Sequence, residues 1–172
     1  VLDTGSTDGT WEFLKKYHDH IYCNELEAKT FITQRTFYEN FDFSVARNDN
    51  LDMVPTDVDW CLSADIDEWF SSNVLDEMKI IIENNPDVTN ITTTRLDIYS
   101  KDVFVGPPNH IPTNKIHKRH HYVWKQPIYE HLWPIDLENQ KEYYSDKIFL
   151  IHDQDTSKPR SNLYVEMMLK QF

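Results

Sequence analysis

The residues best placed to do chemistry lie in Trp60-Cys61-Leu62-Ser63-Ala64-Asp65-Ile66-Asp67-Glu68-Trp69-Phe70. Apolar Trp60, Leu62 and Ala64 have the length and turn-bounded setting of a buried strand. Asp65, Asp67 and Glu68 fall where that strand ends, the position at which open α/β sheets collect ligands. Aspartates at i and i+2 of a strand point to opposite faces, but a turn can converge them. Converged carboxylates repel unless a cation or sugar hydroxyls stand between them, and hard divalent cations prefer oxygen ligands. An acidic loop that only caps the next helix is the alternative on spacing alone. An EF-hand is excluded, because Trp69 and Phe70 occupy the places of a ligand and the turn glycine.

Four further groups carry chemistry-bearing side chains. Asp3-Thr4-Gly5-Ser6-Thr7-Asp8-Gly9-Thr10 is a loop of small and capping residues between a strand end and a helix, an arrangement that offers backbone N–H groups to a ligand. Opening an Asx-turn is the plain alternative for Asp3. Arg47 sits in a helical stretch, where pairing with Asp42 or Asp49 is the plain alternative to ligand binding. Glu130 and His152 stand beside or at the ends of extended segments, where ordinary solvated residues are also found. His117-Lys118-Arg119-His120-His121 reads as a solvated strand edge rather than a metal site. Trp124, Tyr129 and Trp133 have the rings to stack on a sugar, with core packing as the default.

The elements that must hold these groups follow from patterning. Val1-Leu2 ends a strand. Trp11, Phe13, Leu14 and Tyr17 repeat with helical spacing, with Thr7 or Asp8 as cap and an end near His18. Ile21-Tyr22-Cys23 is a second short strand, and residues 25–40 carry no clear pattern. A helix is expected from Val45 to Val54, stopped by Pro55. Ser71, Ser72 or Asn73 caps an amphipathic helix burying Val74, Leu75, Met78, Ile81 and Ile82 and ending at Asn84-Asn85-Pro86. Residues 88–99 are rich in Thr, Ile and Val, hence a strand. Gly106-Pro107-Pro108 and Pro112 mark a loop. Lys115 to Trp133 suggests antiparallel strands, Lys147 to Ile151 another strand delivering His152-Asp153, and the chain closes on a helix after Pro159. The order implies an α/β fold with a mostly parallel first part and an antiparallel second part.

The chain has 172 residues, enough for one domain with a real core. A formal net charge of −12 argues against nucleic acid or an anionic membrane surface as partner. Cys23 and Cys61 lack paired-ligand spacing and read as free thiols of a reducing compartment. No apolar run is long enough to span a bilayer, and no signal peptide is visible. The expected location is therefore cytoplasmic, including the cytoplasmic face of a membrane.

Three stretches in this order resemble the family 2 glycosyltransferases with the GT-A fold. They are Asp3 to Thr10, then Phe43-Ser44-Val45-Ala46-Arg47-Asn48, then Asp59-Trp60 through Glu68. A looser fourth match, Tyr129-Glu130-His131-Leu132 with Ile151-His152 and Arg160-Ser161-Asn162-Leu163, is similar to the subgroup of lipopolysaccharide-core and cell-wall transferases. That subgroup often carries His where Tyr129 stands. The resemblance implies a Rossmann-like mixed sheet flanked by helices across residues 1–172. Residues 1–70 would bind the nucleotide-sugar and residues 71–172 would form an antiparallel acceptor-side part. It also implies inverting transfer from a nucleotide-sugar, a UDP-sugar first, to a glycan, lipid-linked or protein acceptor.

Carried over by residue, the resemblance places Asp3 on the donor base, Arg47 on the donor near its base or phosphates, and Asp65 on the ribose. Asp67 and His152 would hold a divalent cation, Mn²⁺ or Mg²⁺, at the diphosphate. Glu130 would be the acceptor-activating base, ahead of Asp136 and Asp153. Family members begin with an apolar strand and a nucleotide-contacting loop that would precede Val1, so the chain is expected to be a fragment of a longer one. A degenerate, non-catalytic nucleotide-sugar or carbohydrate-binding module is the alternative. A phosphohydrolase with Asp65 as nucleophile ranks lower, because Glu68-Trp69 replaces the Gly-Thr which that pattern wants.

Overall fold

The computed structural model describes residues 1–16, 34–39, 41–99 and 111–154. The strand expected at Ile21-Tyr22-Cys23, the end of the first helix at Tyr17 and His18, the Gly106–Pro108 loop, and the terminal helix with Arg160, Asn162 and Leu163 lie outside the described residues. The chain divides into two compact units, Val1–Pro55 with Trp124–Glu130, and Thr56–Val123 with His131–Phe172.

In the first unit, β1 (Leu2–Asp3) pairs in parallel with β2 (Gln34–Arg35), from a stretch that carried no readable pattern. Helix α1 (Thr10–Lys15) starts from Gly9 at φ +90, not from a Thr7 or Asp8 cap. Asp8 instead accepts Thr10 N–H and its hydroxyl at 3.1 and 2.7 Å. The helical spacing of Trp11, Phe13 and Leu14 does not make a buried stripe, since Phe13 is 56% exposed and α1 buries nothing fully. Helix α2 (Phe43–Asp52) begins two residues earlier than the apolar pattern suggests, because Asp42 caps it by accepting Val45 N–H at 3.1 Å.

The second unit is built on a five-stranded sheet. Its strands are β3 (Trp60–Leu62), β4 (Glu68–Phe70), β5 (Asn90–Tyr99), β6 (Ile111–Lys118) and β9 (Glu142–Gln154), in the order β3-β6-β5-β9-β4. Only β5 and β9 run parallel; β3–β6, β5–β6 and β4–β9 are antiparallel. The first strands, β1 and β2, do pair in parallel, but the expectation of a mostly parallel sheet is corrected in the large one: among the described residues the fold is mixed α/β, with one parallel pair in that sheet. Tyr122–Lys125 (β7) and His131–Pro134 (β8) are extended as their alternation suggested but lie outside that sheet.

Helix α3 (Val74–Asn84) covers the sheet with Met78 and Ile81, against Val88, Ile91, Ile116 and Ile148, while Trp60, Phe70, Val74 and Ile82 pack around them. Each fully buried aliphatic side chain there contributes about 1.5–3 kcal/mol relative to exposure. Two expectations about the apolar faces invert. Leu75 is 40% exposed, and in β3 it is Cys61 that faces inward while Leu62 is 37% exposed. Asn73 precedes α3 as the cap position, but its amide donates to Lys147 O at 3.1 Å and so ties the helix start to β9. No helix among the described residues is long and apolar enough to cross a membrane.

Candidate functional site

In the second unit, β3 ends at Leu62 and β4 starts at Glu68, so the carboxylates sit in the connection between the two outermost strands. The sheet curls enough for Lys115 on β6 to meet this connection. Its Nζ lies 3.1 Å from Asp65 Oδ2 and also contacts Glu68 Oε2. Glu68 Oε2 accepts Asp65 N–H at 2.9 Å, and Glu68 N–H returns to Asp65 O at 3.0 Å, closing the turn. Glu68 and Lys115 are both buried, whereas the Asp65 side chain is 40% exposed.

Asp67 turns the other way. Its Oδ2 lies 3.5 Å from His152 Nε2, and its carbonyl accepts Asp153 N–H at 2.9 Å. Glu68, His152 and Asp97 are direct partners across β4, β9 and β5. His152 Nδ1 meets Asp97 Oδ1 at 3.0 Å, and Asp97 is itself held by Arg95 Nε at 3.0 Å. His152 thus presents Nδ1 to Asp97 and Nε2 to Asp67, and a carboxylate at Nδ1 is the arrangement that would orient an imidazole whose Nε2 met a cation. Asp65 and Asp67 thus do not converge on one point; each has its own cationic or imidazole neighbour.

This half-site could offer a cation only one carboxylate and one imidazole. Among the described residues no three His, Cys, Asp or Glu side chains gather closely enough to hold a metal. A hard dication fits two protein ligands only where substrate oxygens and water complete its shell, as Mg²⁺ commonly does with phosphates.

In the first unit, Asp3 is buried. Its Oδ2 lies 3.1 Å from Arg35 Nε, and its Oδ1 accepts Ser6 N–H at 3.0 Å. Arg35 donates on to Ser6 O at 2.6 Å and stacks over Phe37, 4.8 Å from the ring centroid. Gly5, at φ +111, lies under that ring, and a Cβ there would stand 3.2 Å from Phe37 Cδ1. The loop is thereby closed by its own aspartate, as the turn reading of Asp3 anticipates.

Arg47 pairs with neither Asp42 nor Asp49. Its Nε donates to Glu130 Oε1 at 2.7 Å, with its Nη2 2.7 Å from the same oxygen, while its guanidinium lies 4.8 Å over the Trp124 ring. Asn48 brackets the Trp124 backbone, its Nδ2 donating to Trp124 O and its Oδ1 accepting Trp124 N–H, both at 2.9 Å. Phe43 N–H donates to Pro127 O at 3.1 Å. Helix α2 therefore grips residues 124–130, and that loop holds Gln126 and Tyr129 at φ 77 and 56. Such angles cost a side-chain-bearing residue about 1–3 kcal/mol each. The cost is met directly before Glu130.

The structure thus brings Asp67 to His152 and Arg47 to Glu130, and encloses Asp3 against Arg35. Arg35, Arg95, Asp97 and Lys115 were not singled out in the sequence. Arg95 and Asp97 left a signal, charges inside an otherwise Thr- and Ile-rich buried strand; Arg35 lay in a stretch without pattern. No family model matches the chain, and no curated protein sequence matches it.

Proposed function

We propose that the chain is a metal-dependent inverting glycosyltransferase, of the GT-A kind its three sequence stretches resemble, moving a sugar from a nucleotide-sugar to an acceptor hydroxyl. The observation that carries this reading is the approach of Asp67 Oδ2 to His152 Nε2 at 3.5 Å, with Asp97 fixing the imidazole. The resemblance named that pair for the cation from residues far apart in the chain. Asp67 and His152 would hold Mn²⁺ or Mg²⁺, which when bound offsets the charge gathering on a departing diphosphate. Asp65, half exposed and steadied by Lys115, would accept hydrogen bonds from ribose hydroxyls. Glu130 would take the proton of the attacking hydroxyl as it adds to the anomeric carbon from the face opposite the leaving group. That role requires Arg47 to yield or share Glu130 when substrate enters. Asp3 would meet a base only after giving up part of its hold on Arg35 and Ser6.

The test is thermal unfolding with UDP-, GDP- and dTDP-sugars, each with and without Mn²⁺. Stabilisation that needs nucleotide and cation together supports the transferase, because ligands of the native state raise its stability by mass action. A second reading, a binding module without turnover, is favoured by the enclosed Asp3 and the paired Glu130. It predicts the same stabilisation with no release of nucleoside diphosphate on adding acceptors.

A further inference from the structure

The His117–His121 run, which the transferase reading leaves without a role, divides its residues between two environments. His117 is fully buried. Lys118, His120 and His121 line a cavity of about 460 Å³ together with Asp87, Thr89, Ile135, Asp136, Asn139 and Lys141. That volume falls in the range of small-molecule sites. The cavity lies at the end of the sheet where β5 and β9 begin, because Thr89 and Lys141 immediately precede those strands. His152 and Asp97 lie seven or more residues further along them, roughly 20 Å away at the rise of a strand. It is therefore separate from the Asp67–His152 pair.

We infer that this cavity is a second binding site, for a hydroxyl-rich small molecule carrying one anionic group, a sugar phosphate or a sugar acid. Its two carboxylates are already engaged by the protein. Asp87 Oδ2 meets Lys141 Nζ at 2.7 Å, and Asp136 accepts Asn139 Nδ2 at 2.6 Å and Glu138 N–H at 2.9 Å. These bonds hold both carboxyls below the usual carboxylate range, so both stay ionised as acceptors for ligand hydroxyls. Lys118 helps keep Asp87 ionised through space, and its ammonium, which lines the same cavity, is the positive charge that a ligand anion would meet. His120 is fixed by Nε2 against Thr56 O at 2.9 Å, and Ile135, 66% exposed, offers an apolar wall for the C–H face of a sugar ring. An ammonium for the anion, carboxylates for hydroxyls and an apolar wall are what such a molecule requires. The inference does not rest on the transferase reading.

The experiment is calorimetric titration of the chain, with EDTA present, by glucose 1-phosphate and by glucuronate, against glucose and inorganic phosphate. At least one anionic sugar should bind tenfold or more tightly than both single-feature controls, and which one binds separates phosphate from carboxylate. Lys118→Gln should weaken that binding about tenfold, whereas Asp87→Asn, which frees Lys141, should strengthen it severalfold. Opposite signs from two substitutions on one cavity are not produced by general unfolding. Equal binding of glucose or phosphate, indifference to both substitutions, or loss of binding in Asp67→Ala would overturn the inference.

Discussion

Arg47 and Glu130, 83 residues apart in the chain, meet through two guanidinium contacts of 2.7 Å on a single carboxylate oxygen. Both side chains are mostly buried, at 20% and 15% exposure, and Trp124 lies beneath the guanidinium. The pair therefore loses less to solvent than a surface ion pair. A double-mutant cycle of Arg47→Met and Glu130→Gln, read by urea denaturation, should give a coupling of about 1–3 kcal/mol. A coupling near zero would mean that Asn48 and Phe43 hold the loop without it. In the transferase reading Glu130→Gln should also retain donor binding while losing transfer by at least about a hundredfold, within the range for general-base removal.

The Asp67–His152–Asp97 relay predicts a graded response to Mn²⁺. In the transferase reading Asp67→Ala and His152→Ala each remove a ligand and should abolish the cation-dependent part of nucleotide stabilisation. Asp97→Asn keeps the shape but weakens the hold on His152 Nδ1, so it should weaken Mn²⁺ about 10–100-fold. Mn²⁺ titrations followed by paramagnetic broadening of His152 check this directly. Full cation response in Asp67→Ala would remove the metal role from this pair.

His117 provides a pH test of the fold. It is fully buried on β6, with Nδ1 3.1 Å from Lys118 O and its ring edge-on to Tyr122 at 5.7 Å. Burial, reinforced by Arg119 and partly opposed by the Lys118 carbonyl, lowers its pKa from 6.5. The folded chain thus binds this proton more weakly than the unfolded one. The contribution to stability is fully present above about pH 6.5 and falls as pH drops from there toward the lowered value. Urea midpoints should decline from pH 7.5 to 5.5, less steeply in His117→Gln, and the His117 ring resonances should stay at neutral-form positions below pH 6.5. An imidazole titrating at or above 6.5 would contradict the burial argument.

How far the sequence reaches is visible in particular residues. Helix α3 and strand β5 were legible because local pattern and tertiary burial agree there, Met78, Ile81 and Ile91 being both periodic and buried. β2 was not, since two residues of parallel pairing with β1 leave no periodic trace. Phase failed in short elements: three residues of β3 cannot tell which of Cys61 and Leu62 faces inward when both faces are partly covered. At the site, Asp65, Asp67 and His152 were named from motifs, but their supports were not, because Asp97 reaches His152 only through the β5–β9 register and Lys115 reaches Asp65 and Glu68 from a strand some fifty residues on. Arg47 was recognised as a residue of consequence, yet its partner Glu130 was read as independent of it.

Lys115 gives the last test, because stability and site geometry part company there. Its Nζ joins Asp65 and the buried Glu68, whose Oε2 also fixes Asp65 N–H. Lys115→Met keeps the length of the side chain but leaves Glu68 buried without its cation, which should cost about 3–5 kcal/mol. Glu68→Gln alone keeps an oxygen for Asp65 N–H while removing the charge, so it should cost less. Combined with Lys115→Met it should recover much of the loss, since no buried charge then lacks a partner. If Lys115 matters only to stability, Mn²⁺-dependent nucleotide binding by the folded double variant will match the parent chain. If Lys115 also steers Asp65 toward the ribose, as proposed, the double variant will be stable again yet bind the nucleotide several times more weakly, with its Mn²⁺ affinity through Asp67 and His152 unchanged.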